Sequence, residues 1–180
     1  MIKISQLGVI FSTVGLMIGL LIIAVSLMSA NRIVSYSGTR VSCRKFYLSQ
    51  EILPDHLFYP IIAGFDRVIL WLAGNEEKIY LRTDYGQIRY KYAQGLLEKN
   101  KKDLALTTLT KSQKYFNIAA HEAINLSDSI ELKKYVSSSL KENIKLTQEM
   151  VFEFTDDKRI IIDDLNNQNQ LLVETLSEQL

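Results

Sequence analysis

Beyond residue 60, apolar positions recur at steps of three and four through most of the chain, the period of helices that each turn one face to a core. Ahead of them stands a different pattern. From Leu7 to Met28 run 22 residues without a charge, rich in Ile, Leu, Val and Gly. As a helix this run is roughly 33 Å long and matches the hydrocarbon core of a bilayer. Together the two patterns predict an all-α chain. An N-terminal transmembrane helix occupies 1–30, a tether 31–51, and an antiparallel helical bundle of about five helices the remainder.

The domain begins at Ile52-Leu53-Pro54-Asp55-His56-Leu57-Phe58-Tyr59-Pro60. Two prolines six residues apart forbid a continuous helix and push Leu53 and Tyr59 toward extended geometry. Pro60 suits the first position of a helix, where its missing N–H costs nothing. That helix is predicted to reach about Ala73, with Ile61, Phe65, Val68, Ile69 and Leu72 on its core face and Gly74-Asn75 as its stop. A second helix, from about Glu76 to Glu98, carries Leu81, Tyr85, Ile88, Tyr92 and Leu96. Asn100 marks a break. A third, from about Lys102 to Leu126, shows Ala105, Thr108, Ser112, Tyr115, Ala119 and Ala123, small residues that permit close packing. A fourth, from about Ser129 to Phe154, repeats the rhythm through Val136, Leu140, Ile144, Thr147 and Val151. Asp156 or Asp157 caps a last helix bearing Ile161, Leu165, Leu172 and Leu176. No strand is called for, since no proline and no Asn-Gly pair follows residue 60. Residues 52–126 form one helical group. Residues 127–180 either fold back to complete the bundle or extend as a self-associating coiled coil with Thr147 and Gln168 in its seam.

The apolar run is too long for a cleavable signal peptide, and Ala24 with Ser26 makes a poor cleavage site, so an uncleaved signal-anchor is expected. Gly15 and Gly19 form one small-xxx-small step, read as lipid-facing glycine. Orientation is contested. Arg32, Arg40, Arg44 and Lys45 follow the run while Lys3 precedes it, which favours a cytoplasmic domain. A short head, a long apolar run and a large C-terminal part favour the opposite, and of the four following charges only Arg32 is close to the span. The expectation leans to an extracytoplasmic domain.

Charge and composition narrow the chemistry. A net charge of +1 gives no global field to recruit nucleic acid. The charge is uneven: nine basic and five acidic residues lie between Glu76 and Lys114, but six acidic and two basic between Asp156 and Leu180, so the tail and the middle attract. Cys43 is the only cysteine, which forbids an intramolecular disulfide and a cysteine-based zinc site. Asp55-His56 is the pair with most chemical potential, because an imidazole beside a carboxylate binds metal or moves protons. The plainer reading has Asp55 in a turn and His56 on its surface. His121, the other histidine, is read as part of a solvated helix face. Tyr80, Tyr85, Tyr90 and Tyr92 among Arg82, Arg89 and Lys91 resemble a base-stacking surface, but Tyr85 and Tyr92 fall on the apolar stripe and Arg89 is expected to pair with Asp66 or another carboxylate. There is no Gly-rich phosphate loop, no H-E-x-x-H and no nucleophile elbow.

Leu53-Pro54-Asp55-His56-Leu57-Phe58-Tyr59-Pro60, followed by Asp66-Arg67 and a helix bearing Arg89, resembles an uncharacterised bacterial family. It is the domain-of-unknown-function family numbered five thousand six hundred and sixty-seven, whose members pair a signal-anchor with an L-P-D-x-P-L-Y-P type motif and helices carrying an A-x-x-R-L element. The likeness covers residues 52 to 120, roughly two fifths of the chain. This chain departs from the pattern at Leu57, where the family has Pro, at Ile62 and Phe65, where Lys and Arg are common, and at Gly86, which replaces the Ala of the later element. The resemblance implies a membrane-anchored helical module and no reaction.

The expected function is accordingly a non-catalytic interaction or scaffold module held to the membrane, with a protein partner or a second copy, and without cofactor, metal, small-molecule substrate or nucleic acid. Leu53, Pro54, Asp55, His56, Tyr59, Pro60, Asp66, Arg67 and Arg89 are its structural motif. A membrane signalling adaptor is the alternative and requires a cytoplasmic domain. An envelope hydrolase comes third and requires Asp55, His56 and Arg89 to converge in a cleft.

Overall fold

The structure, a computed structural model, describes residues 14–19 and 52–180. The chain divides into two units, Met1–Ser49 and Gln50–Leu180. In the first, residues 14–19 are helical with Val14, Leu16, Met17 and Ile18 exposed. The rest of the expected span and the tether lie outside the described residues. Among the described residues no helix is long and apolar enough to cross a membrane.

The second unit is built from α1 (Tyr59–Leu72), α2 (Asn75–Glu98), α3 (Lys102–Leu126), α4 (Ile130–Met150), a 3-10 turn (Val151–Glu153) and α5 (Asp156–Glu178). No described residue lies in a strand. Short connections let α2, α3, α4 and α5 pack as successive neighbours, whereas α1 touches α2 only slightly. The α2–α3 pair has the most extensive contact, and α4 and α5 complete the bundle against it.

The α2–α3 connection follows from its local chemistry. Asn100, at φ 58°, takes the left-handed conformation that asparagine tolerates best after glycine. The Lys101 N–H then donates to the Leu96 carbonyl and the Asn100 N–H to that of Leu97, each at 2.8 Å, satisfying carbonyls the ending helix leaves open. At the start of α4 the Ser129 hydroxyl accepts from the Leu132 N–H, the usual N-cap bond. At α5 the cap is Thr155 rather than Asp156 or Asp157, which occupy the first turn and favour its positive end.

Two apolar clusters fill the bundle. One gathers Ile79, Phe116, Ala120, Val136, Leu140 and Leu176, and the other Leu53, Tyr90, Leu96, Leu109, Phe154 and Ile162. Between them lies a layer of buried polar residues. Gln113 Nε2 donates to Asn166 Oδ1 at 2.6 Å, Asn117 Nδ2 to Asn169 Oδ1 at 3.4 Å, and Ser112 Oγ to the Gly86 carbonyl at 2.6 Å. Asn143 Oδ1 and Thr147 Oγ1 lie buried in the same layer with no hydrogen-bond partner among the described residues.

The C-terminal helices fold back. Val136, Leu140, Ile144, Thr147, Val151 and Phe154 are all buried, as are Leu172 and Leu176, so the stripe an extended coiled coil needs is spent inside the bundle. The face of α5 is also rotated from the expected one: Ile162, Asn166 and Asn169 are buried, whereas Ile161 and Gln168 are exposed. Among the described residues, the ion pair that joins these two segments runs from Lys158 of α5 to Asp103 of α3 at 2.5 Å, with the basic partner on the tail.

α2 and α3 approach closely where α2 has no side chain. A Cβ on Gly86 would stand 2.6 Å from Cε2 of Phe116, which is itself fully buried. An isolated glycine inside a helical pattern costs about 1 kcal/mol against alanine, so such a residue needs a packing reason, and this contact supplies it. Gly86→Ala is expected to lower stability by about 1 to 2 kcal/mol, overpacking outweighing the gain in helix propensity. Chemical denaturation of the chain measures it. A raised midpoint would mean that Phe116 moves aside without cost.

Candidate functional site

The motif residues fall into two groups, one at the lead-in turn around Asp55 and one around Asp66 and Arg89, with His56, Pro60 and Arg67 exposed. Leu53 is buried in the second apolar cluster, its methyl carbons 3.2 Å from where a Cβ on Gly95 would lie. After it the chain turns tightly: the His56 N–H donates to the Leu53 carbonyl and the Tyr59 N–H to the His56 carbonyl, each at 3.0 Å. Tyr59 is the first residue of α1 rather than extended, and Pro60 follows it within the first turn. The Tyr59 ring meets that of Tyr92 edge-on at 6.1 Å.

Asp55 clips this turn to the α2–α3 connection. Lys101 Nζ donates to Asp55 Oδ2 at 2.7 Å and Lys99 Nζ at 3.2 Å. The hydrogen bond from Lys101 holds the Asp55 carboxyl below its ordinary 3.8, and partial burial opposes the shift. Asn100 is the hinge of this arrangement, since its left-handed backbone brings the lysines on either side of it to one carboxylate. His56 is exposed, and its Nδ1 accepts from the Phe58 N–H at 3.3 Å. The adjacent pair is thus divided, with the carboxylate serving lysines and the imidazole a backbone N–H.

The deeper centre is Arg89. Its guanidinium faces Asp66 of α1 at 3.9 Å, donates to the Tyr85 carbonyl at 3.3 Å, and stacks over the Tyr115 ring at 4.2 Å from the centroid. The Arg89 and Asp66 side chains are 7% and 12% exposed. Tyr85 meets Tyr115 edge-on at 6.0 Å, completing an aromatic wall around the cation. Burial pushes the Tyr59 hydroxyl above its ordinary 10.0, with nearby Arg89 opposing and Asp66 adding to the shift. Of the carboxylates the sequence leaves open to Arg89, Asp66 is the one it faces. Arg67, one residue on, is exposed.

Arg89 is therefore engaged by Asp66, Tyr85 and Tyr115, while Asp55 is held by Lys99 and Lys101 and His56 lies exposed. Among the other aromatic and basic residues of α2, Tyr80, Arg82 and Tyr90 are similarly engaged, while Lys91 is exposed. Tyr90 is buried and donates to the Leu146 carbonyl at 3.2 Å, Tyr80 packs on Tyr135 at 5.3 Å, and Arg82 pairs with Glu122. His121 is exposed on α3. An open groove beside Tyr90 carries Glu98, Glu149 and Glu153. Among the described residues no group of three or more His, Cys, Asp or Glu is placed to hold a metal ion. Sequence reasoning missed Tyr115 as a partner of Arg89 and the two lysines on Asp55. An aromatic at a core-facing position gives no sign of which cation it will meet, and lysines around a helix break give no sign of which acid will reach them.

Compared with family models, curated proteins and solved structures, the chain matches none.

The Asp55 clip has a pH signature. Its carboxyl titrates below the ordinary value in the folded chain, so its contribution is present above 3.8 and is lost as pH falls through the lowered value. Asp55→Asn is expected to lower the thermal midpoint near neutral pH, and the difference from the native chain is expected to shrink as acid protonates the native carboxyl. A difference that stays constant down to strong acid would show that the lysine pairing contributes nothing.

Proposed function

We propose that this protein is a membrane-anchored, non-catalytic helical module that presents its bundle for interaction with another protein or a second copy of itself. The observation that carries the anchor is the uncharged run from Leu7 to Met28, long enough as a helix to cross a bilayer. The interaction reading is supported by how the motif spends its polar groups. Asp55 is held by two lysines and Asp66 by Arg89, which makes them fasteners of the fold. Outward-facing apolar residues at the α4–α5 corner, Phe152, Ile160 and Ile161, offer a surface for a protein partner.

A second reading, a signalling adaptor with its domain in the cytoplasm, is favoured by the basic residues Arg32, Arg40, Arg44 and Lys45 that follow the run. Orientation separates the two. A reporter fused after Leu180 of the full chain is expected to be active on the extracytoplasmic side and the protein to fractionate with membranes. A reporter active only in the cytoplasm would replace the first reading with the adaptor. Recovery of the full-length chain in the soluble fraction would refute the anchor itself.

A further inference from the structure

We propose that the outward face of α1, with the turn before it, lies on the surface of a lipid bilayer. The proposal rests on the membrane-anchor reading and adds a second contact with the same membrane.

α1 is apolar on both sides. Phe65, Ile69 and Ala73 turn toward the bundle, while Ile61, Gly64, Val68, Trp71 and Leu72 share the opposite face at helical spacing. Leu57, Trp71 and Leu72 are 86%, 79% and 61% exposed, with Phe58, Ile61 and Val68 beside them. A helix apolar all round needs cover on both sides, and the bundle covers one. At 14 residues α1 is about 21 Å long, too short to span a bilayer and of the length of an interfacial segment.

The chemistry of the face fits lipid. Tryptophan settles at headgroup level and a long arginine side chain snorkels up to it, and Arg67 stands at the edge of this face beside Val68. The one acid of α1, Asp66, is turned inward to Arg89, so the outward face carries no carboxylate.

The rest of the chain names the bilayer as the occupant. An uncharged run able to span ends at Met28, and the 28 residues between it and Leu57 reach up to about 90 Å, ample to let α1 settle on the same membrane. Those residues hold Arg32, Arg40, Arg44 and Lys45 against Glu51 and Asp55, and Asp55 is already engaged with Lys99 and Lys101. The balance is basic, which favours a surface of anionic headgroups.

Trp71 is the only tryptophan of the chain, so its fluorescence reads the proposed contact alone. The full chain is placed in vesicles of mixed zwitterionic and anionic phospholipid with brominated acyl chains. The expected result is a blue-shifted emission that loses most of its intensity to the brominated lipid and is shielded from acrylamide in the water. With Ile61→Lys and Val68→Lys together, both effects are expected to vanish while flotation with vesicles and helix content stay unchanged. If the native chain floats with the vesicles but Trp71 is quenched by acrylamide and not by brominated lipid, the surface contact is wrong and the anchor stands. If Trp71 is shielded from both quenchers, a second copy covers the face and the proposal is overturned. If the chain does not float at all, the anchor reading falls, and this contact with it.

Discussion

The orientation of α1 depends on one buried pair, Asp66 with Arg89. Hydrophobicity alone does not decide how this helix docks, because Ile61, Val68 and Leu72 on one side are as apolar as Phe65 and Ile69 on the other. The carboxylate breaks the tie: Asp66 is stable inside only where a cation waits, and Arg89 is held there by the Tyr85 carbonyl and the Tyr115 ring. A buried pair of this kind adds little net stability over an apolar pair of similar volume, since desolvation offsets attraction. Its effect is to make every other docking of α1 worse, because each would leave a charge buried alone. With Asp66 turned inward, Val68, Trp71 and Leu72 are left on the outer side of the helix.

The same logic runs through the bundle. Apolar clusters at its two ends supply most of the burial, and the polar layer between them sets the alignment. Gln113 meets Asn166, and Asn117 meets Asn169, only when α3 and α5 stand at one relative height. A slide by one turn would break both amide bonds, at a cost of about 1 to 3 kcal/mol for each buried group newly left unpaired. At the end near Asp55, the left-handed Asn100 fixes the direction of two lysines and thereby the position of the lead-in turn.

Much of this was legible in the chain. The all-helical class and the limits of α2 and α3 come from period and breaks, and the buried row of α4 comes from its stripe, because polar residues on its other face leave only one way to turn. Two faces were misread for a shared reason. On α1 the periodic signal is ambiguous when both faces are apolar, and Ile61, Val68 and Leu72, expected in the core, are exposed. On α5 the core at mid-height is polar, so apolar spacing points to Ile161 although Asn166 and Asn169 are the buried residues. At the candidate site the sequence leaves Arg89 to Asp66 or another carboxylate, and the packing of α1 selects Asp66. The lysine clip and the Gly86–Phe116 contact depend on how helices meet in space, which spacing along one helix does not encode.

The central claim is that Asp66 and Arg89 act as a unit to hold α1 in its orientation. A double-mutant cycle tests it most directly, with Asp66→Asn, Arg89→Met and the two combined, each full-length chain unfolded chemically. Coupling of about 1 to 3 kcal/mol is expected, the double variant losing clearly less than the two single losses together. Single losses that simply add would mean that the two residues do not act on each other, and the docking of α1 would need another cause.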